Sequence, residues 1–306
     1  MAKPLQLDYP VITLDGRVLL PAGAVLTADT VDDLIRSGRG ESYPRMRLMG
    51  FGTVANDLLR ICNQAPYKKI FSNQKRTDAV FAALHQAESL MPLLEIYDYF
   101  KVNDPYTYRH MLTVYALSLL LGQELLSDRD DQALLLAGAS NHDFGKICVS
   151  MEICKKSVPL TEQERHQLTH HPIAGYVLLS YYFRNPEHPA AIVARDHHER
   201  RNAVGYPRGI SQENPIVEIV TVCDLLDALV SPRPYRPVSF DLRSALEEIT
   251  HMALSGALNS DVVSALVNCA RGGGESYRAC ALSHERRGIS PAGNMYSGGC
   301  FSLVSE

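Results

Sequence analysis

The sequence predicts a mainly α-helical protein with a small α+β unit at its N-terminus. Beyond residue 76 apolar residues recur at helical spacing in one segment after another, whereas short β-type runs appear only near the start. The 306 residues, 46% hydrophobic and 21% charged, are an ordinary globular composition with core enough for one large or two modest domains.

Residues 8–38 read as a hairpin followed by a helix. Val11-Ile12-Thr13-Leu14 and Val18-Leu19-Leu20 flank Asp15-Gly16, a dipeptide suited to a type I′ turn. The helix opens near Thr27 and closes on Gly38 at the C′ position. A helix is expected around Thr53–Asn63, then a polar stretch at Ser72–Thr77 where we place a boundary. Arg76–Phe100 has helical spacing with a kink expected at Pro92. Arg109–Leu121 is apolar nearly all round, as a buried helix should be, and Asp130–Asn141 reads as another. Thr161 and Glu164 form a capping box for a helix running towards Tyr182. His188–Glu199, Pro215–Val230, Phe240–Leu254 and Asp261–Ala270 complete the set. The expected organisation is a regulatory or interaction unit over 1–75, a helical catalytic domain over 76–270 and an irregular tail over 271–306.

A net charge of −4 argues against a general nucleic-acid binder. The N-terminus lacks the apolar region of a signal peptide, and no apolar run approaches the ~20 residues that span a bilayer. Seven cysteines, odd in number and without a CxxC pair, suit reduced thiols in a cytoplasmic protein.

The chemistry lies in histidines and aspartates. Asp224 sits in Ile219-Val220-Thr221-Val222-Cys223-Asp224-Leu225-Leu226, too apolar for a solvated face, so it needs a cation, a metal or strong donors. Alone it reads equally well as a salt-bridged carboxylate. His142-Asp143 ends one helix; its side chains diverge by about 100°, which suits a two-metal site better than a flat clamp. Lys146 is either a cap on helix carbonyls or a cation for a phosphate. His197-His198 ends another helix, where protonated histidine would also suit the dipole. His110, alone, reads as a core residue, and His166-x-x-x-His170 as a surface pair beside the buried-face His171. Together, five histidines and two aspartates fall on five successive helices, a donor set for Fe, Mn or Zn rather than calcium. Two such ions ~3.5–4 Å apart would lower the pKa of a bridging water and clamp a phosphoryl oxygen.

In order along the chain, His110, His142-Asp143-Phe144-Gly145-Lys146, Leu160-Thr161 to His171-Pro172, His197-His198-Glu199-Arg200, Gly205-Tyr206-Pro207, Asp224 and Arg233-Pro234-Tyr235-Arg236 form one pattern. This pattern resembles the HD-GYP domains, a branch of the HD metal-dependent phosphohydrolases. The resemblance implies an HD-type helical bundle and hydrolysis of the bacterial messenger cyclic di-GMP to pGpG or GMP by a metal-bridged hydroxide. It implies His110, His142, Asp143, His171, His197, His198 and Asp224 as metal ligands, with Asp143 bridging. Lys146 would neutralise a phosphate or assist proton transfer, and Tyr206, Arg233 and Arg236 would contact substrate.

Tyr106 stands where relatives with a third metal carry an acid, so two divalent ions are expected, Fe or Mn first and Zn, Ni or Mg as alternatives. Asn202-Ala203 replaces the usual Asp-Gly before Gly205, which leaves open another cyclic dinucleotide or nucleotide phosphate as substrate. A receptor that binds the nucleotide without turnover is the third reading. The expected partner is a cyclic dinucleotide, with no nucleic-acid duplex and no membrane insertion; a homodimer or signalling-protein partner stays open. Tyr181-Tyr182-Phe183 reads as core before it reads as a guanine-stacking surface.

Overall fold

A computed structural model describes residues 5–232, 238–272, 276–289 and 291. The chain is mainly helical, as expected. Strands β1 (Val11–Ile12) and β2 (Val18–Leu20) form one antiparallel pair, and β3 (Arg45–Arg47) and β4 (Glu88–Leu90) another. The helices are α1 (Ala28–Ser37), α2 (Val54–Asn63), α3 (Tyr67–Ile70), α4 (Gln74–Leu84), α5 (Met91–Asn103), α6 (Pro105–Leu125) and α7 (Arg129–Gly138). Then come α8 (Met151–Cys154), α9 (Glu162–Leu168), α10 (His171–Phe183), α11 (Pro189–Asp196), α12 (Pro215–Val230), α13 (Leu242–Leu254) and α14 (Ser260–Ala270). None of the described helices is long and apolar enough to cross a membrane.

The long helix α6 is the axis of the bundle. Asp104 caps it through the Thr107 N–H, Pro105 occupies its first turn, and Met111–Leu121 is buried on every side. Around it pack α2, α4, α5, α7, α12 and α14. Helix α12 spans the residues expected and is buried along its length, so any polar group on it needs a partner inside the protein.

Several boundaries differ from the sequence reading, each for a local reason. Pro92 does not kink a helix. It sits in the first turn of α5, where its missing N–H costs nothing, and β4 separates it from α4. The Thr161 capping box is present, but α9 ends at Leu168 and α10 starts afresh at His171, with Pro172 in its first turn. Gly16 alone takes a positive φ in the first hairpin; its N–H reaches the Thr13 carbonyl and Thr13 pairs with Arg17. That is a three-residue loop, not the type I′ turn, which needs two positive φ values. Gly38 stays right-handed; a Cβ there would come within 2.9 Å of the Tyr181 ring, so close packing explains the glycine. Helix α7 is not a buried helix: only Leu135 and Gly138 are enclosed. His170 is buried edge-on against Tyr9, whereas His166 is exposed beside Asp8.

The boundary placed between residues 75 and 76 lies within α4. Residues before it pack onto the rest: Tyr67 reaches α12 through Asp227, Arg17 bonds Tyr181, and Cys148 Sγ bonds the Ile12 backbone. Tyr181 and Tyr182 are buried against Glu41 and Tyr43, in keeping with the core reading. All six described cysteines are free.

Candidate metal centre

Five chain segments, α6 among them, meet at one site. His110 lies on the second turn of α6, facing inward. His142 and Asp143 follow a single 3-10 turn, Ala139–Asn141, that ends α7. A second 3-10 turn, Phe144–Cys148, carries the chain away, anchored by Phe144 packed edge-on to Tyr97. His171 is the first residue of α10, His197 and His198 follow the last residue of α11, and Asp224 lies midway along α12.

Two glycines set how closely these segments approach. Gly145 lies against the N-terminus of α10, where a Cβ would fall far inside contact with the His171 carbonyl and 2.9 Å from Gly175 Cα. Gly205 lies flat on the His197-His198-Glu199 segment, a Cβ there reaching 2.5 Å from Glu199 Cα and 2.8 Å from Arg200 N. Glu199 accepts the Arg208 and Ile210 N–H groups at 2.6 and 3.1 Å, and Asp196 accepts Arg208 at 2.7 Å. The loop carrying Tyr206 is thereby bound to the histidine pair, and its ring stacks on His198 with centroids 4.6 Å apart. Ala203 in this loop takes a φ of +60°, a left-handed backbone that favours glycine.

The side chains form two groups that could each hold an ion: His110, His142 and Asp224, and His171, His197 and His198. Asp143 stands between them. Its Oδ1 faces His171 Nε2 at 3.3 Å and His197 Nε2 at 3.9 Å, while its Oδ2 faces His110 Nε2 at 3.4 Å and His142 Nε2 at 3.6 Å. Asp224 Oδ1 lies 3.1 Å from His110 Nε2, and Lys146 Nζ bonds Asp143 Oδ2 at 2.6 Å. All seven histidines and aspartates expected as ligands therefore converge. Lys146 reaches the carboxylate between the two groups rather than helix carbonyls. Arg233 and Arg236 lie outside the described residues.

The tautomers of His171 and His197 suit the second group to a cation. His171 donates Nδ1–H to the Leu168 carbonyl at 2.7 Å, and His197 donates Nδ1–H to Ala194 and Val193 carbonyls at 2.9 and 3.1 Å. Neutral imidazoles with the proton on Nδ1 carry a lone pair on Nε2. Those lone pairs face each other across 3.3 Å, and His198 Nε2 adds a third contact at 3.2 Å from His171. Lone pairs so placed repel unless a cation lies among them. Burial pushes the pKa values of His142 and His171 down to about 3 and lowers those of His197 and His198, so all four are neutral at pH 7, as ligation requires.

His110 is the exception. Burial disfavours its charge, but hydrogen bonds to Asp224 and Asp227 override that and raise its pKa to about 9. Burial likewise opposes ionisation of Asp143 and Asp224, yet Lys146 and the imidazoles around Asp143, and His110 beside Asp224, hold both well below the usual carboxylate range. The three buried carboxylates Asp143, Asp224 and Asp227 face Lys146, the His110 imidazolium and, at Asp227, the Arg109 charge, and a bound cation would take the place of the His110 Nε2 proton. The donor set and its charge fit divalent metal ions bound through imidazole and carboxylate.

A family model described as "HD domain" matches residues 88–262, more than half of the chain. The chain belongs to the HD domain family. An HD domain is a divalent-metal-binding domain, in keeping with the two side-chain groups. Relatives include the cyclic di-GMP phosphodiesterase response regulator RpfG of Xanthomonas campestris pv. campestris, 36% identical over 119 residues, 38% of this chain and 32% of that one. The 3'3'-cGAMP-specific phosphodiesterase 3 of Vibrio cholerae is 34% identical over 157 residues, 50% of this chain and 34% of that one. A cyclic di-GMP phosphodiesterase of Thermotoga maritima is 34% identical over 199 residues, 64% of this chain and 53% of that one. The HD domain chain thus spans between about a third and a half of the length of these relatives.

One residue of the HD domain site escaped the sequence reading. Asp227 accepts His110 Nδ1–H on Oδ2 at 2.6 Å, and accepts Tyr67 and Ser231 hydroxyls on Oδ1. It holds the ring so that His110 Nε2 is aimed at Asp224, the role an outer carboxylate plays behind a ligating imidazole. The signal was available, since Asp227 lies one turn beyond Asp224 in the same apolar helix. Asp227→Asn is expected to weaken metal binding by about 10- to 100-fold while the fold is retained. Manganese titration, with Ser231→Ala as the milder control, checks it; unchanged affinity would remove the assigned role.

Proposed function

We propose that this HD domain is a metal-dependent phosphodiesterase that hydrolyses cyclic di-GMP to pGpG, GMP or both. The observation that carries the reading is Asp143, whose two oxygens face two separate imidazole groups. In this reading His110, His142 and Asp224 would hold one ion and His171, His197 and His198 the other, with the Asp143 carboxylate available to both. Bound there, Fe or Mn ions would act as Lewis acids, activating water and neutralising charge at a phosphoryl group.

The chain's own residues supply the rest. Lys146 Nζ, already on Asp143, is placed to neutralise a phosphate oxygen or carry a proton between water and the leaving oxygen. Water oxygen bonds to phosphorus, the P–O3′ bond breaks, and the 3′-oxygen leaves with a proton. Tyr206, stacked on His198, presents an aromatic surface for a guanine, and Arg233 and Arg236 are assigned to the phosphates. Residues 1–75 serve as a regulatory or interaction unit in a cytoplasmic, homodimeric or partner-bound protein.

A second substrate reading follows from Ala203 and from the relatives named for 3'3'-cGAMP: another cyclic dinucleotide takes the same site. The test is turnover of both dinucleotides by metal-loaded protein. Cyclic di-GMP consumed with the higher kcat/KM supports the first reading, cyclic GMP–AMP the second. Tight binding of either without any linear product would make the protein a receptor.

A further inference from the structure

A cavity of about 110 Å³ lies away from the metal centre, between the β3–β4 pair, the end of α7 and the start of α11. Arg45, Glu88, Ser89, Asn141, Phe183 and His188 are among its lining residues. Its inner wall includes Ser140 and Asn141, which lead directly into His142 and Asp143.

The polar groups here are mostly donors. Ser89 Oγ is buried and has no hydrogen-bond partner among the described residues, which calls for a bound group. Asn141 is buried and takes the Ser140 hydroxyl on its Oδ1 at 2.9 Å, which leaves its amide N–H groups as the donors. His188 accepts the Ala190 N–H on Nδ1 at 3.2 Å, so the neutral ring carries its proton on Nε2. Burial and the Arg45 charge push its pKa down to about 4, so the ring is neutral at pH 7. Arg45 brings a full positive charge to the exposed rim, and Phe183, stacked on His188 at 3.7 Å, gives an apolar wall. Glu88, also exposed at the rim, opposes a second negative charge on any occupant.

From this lining we infer that the cavity binds a small monocarboxylate. Its two oxygens answer the donors and the guanidinium, and a short alkyl tail answers Phe183. A cavity of ~150 Å³ accepts the six carbons of benzene, so this one suits about four or five heavy atoms, the size of acetate or propionate. The site is independent of the proposed reaction, and its occupancy is read directly.

The probe is acetate added to the metal-loaded 306-residue chain, with binding followed by saturation transfer from protein aromatic protons to the acetate methyl group. Saturable transfer is expected. Arg45→Ala should weaken it about tenfold or more, with partial recovery in Arg45→Lys, and Ala137→Leu, at an exposed lining position, should plug the cavity and abolish it. Unchanged melting temperatures in Arg45→Ala and Ala137→Leu would show that the fold is intact. No saturable transfer, or transfer equal in all variants, would overturn the site and leave only water there. Inorganic phosphate displacing acetate at lower concentration would overturn the monocarboxylate assignment.

Discussion

Asp143→Asn is expected to abolish hydrolysis, with kcat/KM falling at least about 10³-fold, or roughly 4 kcal/mol of transition-state stabilisation. The reason is geometric as well as electrostatic. Each carboxylate oxygen faces a different imidazole group, Oδ1 the His171–His197 side and Oδ2 the His110–His142 side. An amide keeps one neutral oxygen and turns an N–H₂ towards the other group, where it would meet a cation with a donor. Lys146 meanwhile loses the anion that holds its ammonium at 2.6 Å. Parallel loss of bound metal, measured on the same preparation, separates this account from a purely structural effect. A variant that kept full activity would remove Asp143 from the centre of the site.

Gly145→Ala carries the second large effect, and it begins in packing rather than charge. The new methyl group would overlap the His171 carbonyl and the Gly175 backbone, both fixed within the first turns of α10. Neither is a flexible side chain, so the segment bearing His142 and Asp143 must move away from α10. A cost of about 3 kcal/mol is expected for such overpacking. The displacement also opens the 3.3 Å approach between His171 and Asp143, so activity should fall in the fraction that folds. Gly175→Ala, whose Cβ would sit 3.1 Å from the Ala194 methyl, should cost less. Gly50→Ala, with nothing within 4 Å, should cost little. Chemical denaturation of the three variants checks this order; equal stabilities would refute the close approach.

The helices were legible because burial imposes a periodic pattern. Helix α12 could be read to the residue, since Asn214 and Pro215 mark its start and an apolar run interrupted only by Glu218, Thr221, Asp224 and Asp227 marks its body. What periodicity does not show is where one helix ends and another begins on the same face. The apolar positions continue from Leu168 through His171 to Leu178, so the break at Thr169–His170 passed unseen, although Pro172 marked a helix start. Pro92 was misjudged for the same reason.

At the site, residue type and order along the chain named the histidines and aspartates that converge. Orientation did not follow from them. That Asp143 divides its oxygens between two groups, or that Gly145 and Gly205 let backbones touch, depends on segments distant in sequence and appears only in three dimensions. Asp227 is a different matter. Like Asp224 it is a carboxylate in an apolar helix, one turn further on, and it finds its partners in His110, Tyr67 and Ser231.

The central claim is a pair of ions held around Asp143, and metal stoichiometry tests it most directly. Elemental analysis of protein purified without air, beside a His142→Ala preparation, should give two divalent ions per chain for the wild type and a clear loss from the His110–His142–Asp224 group in the variant. One ion or fewer in the wild type, or the same content in both proteins, would contradict the account.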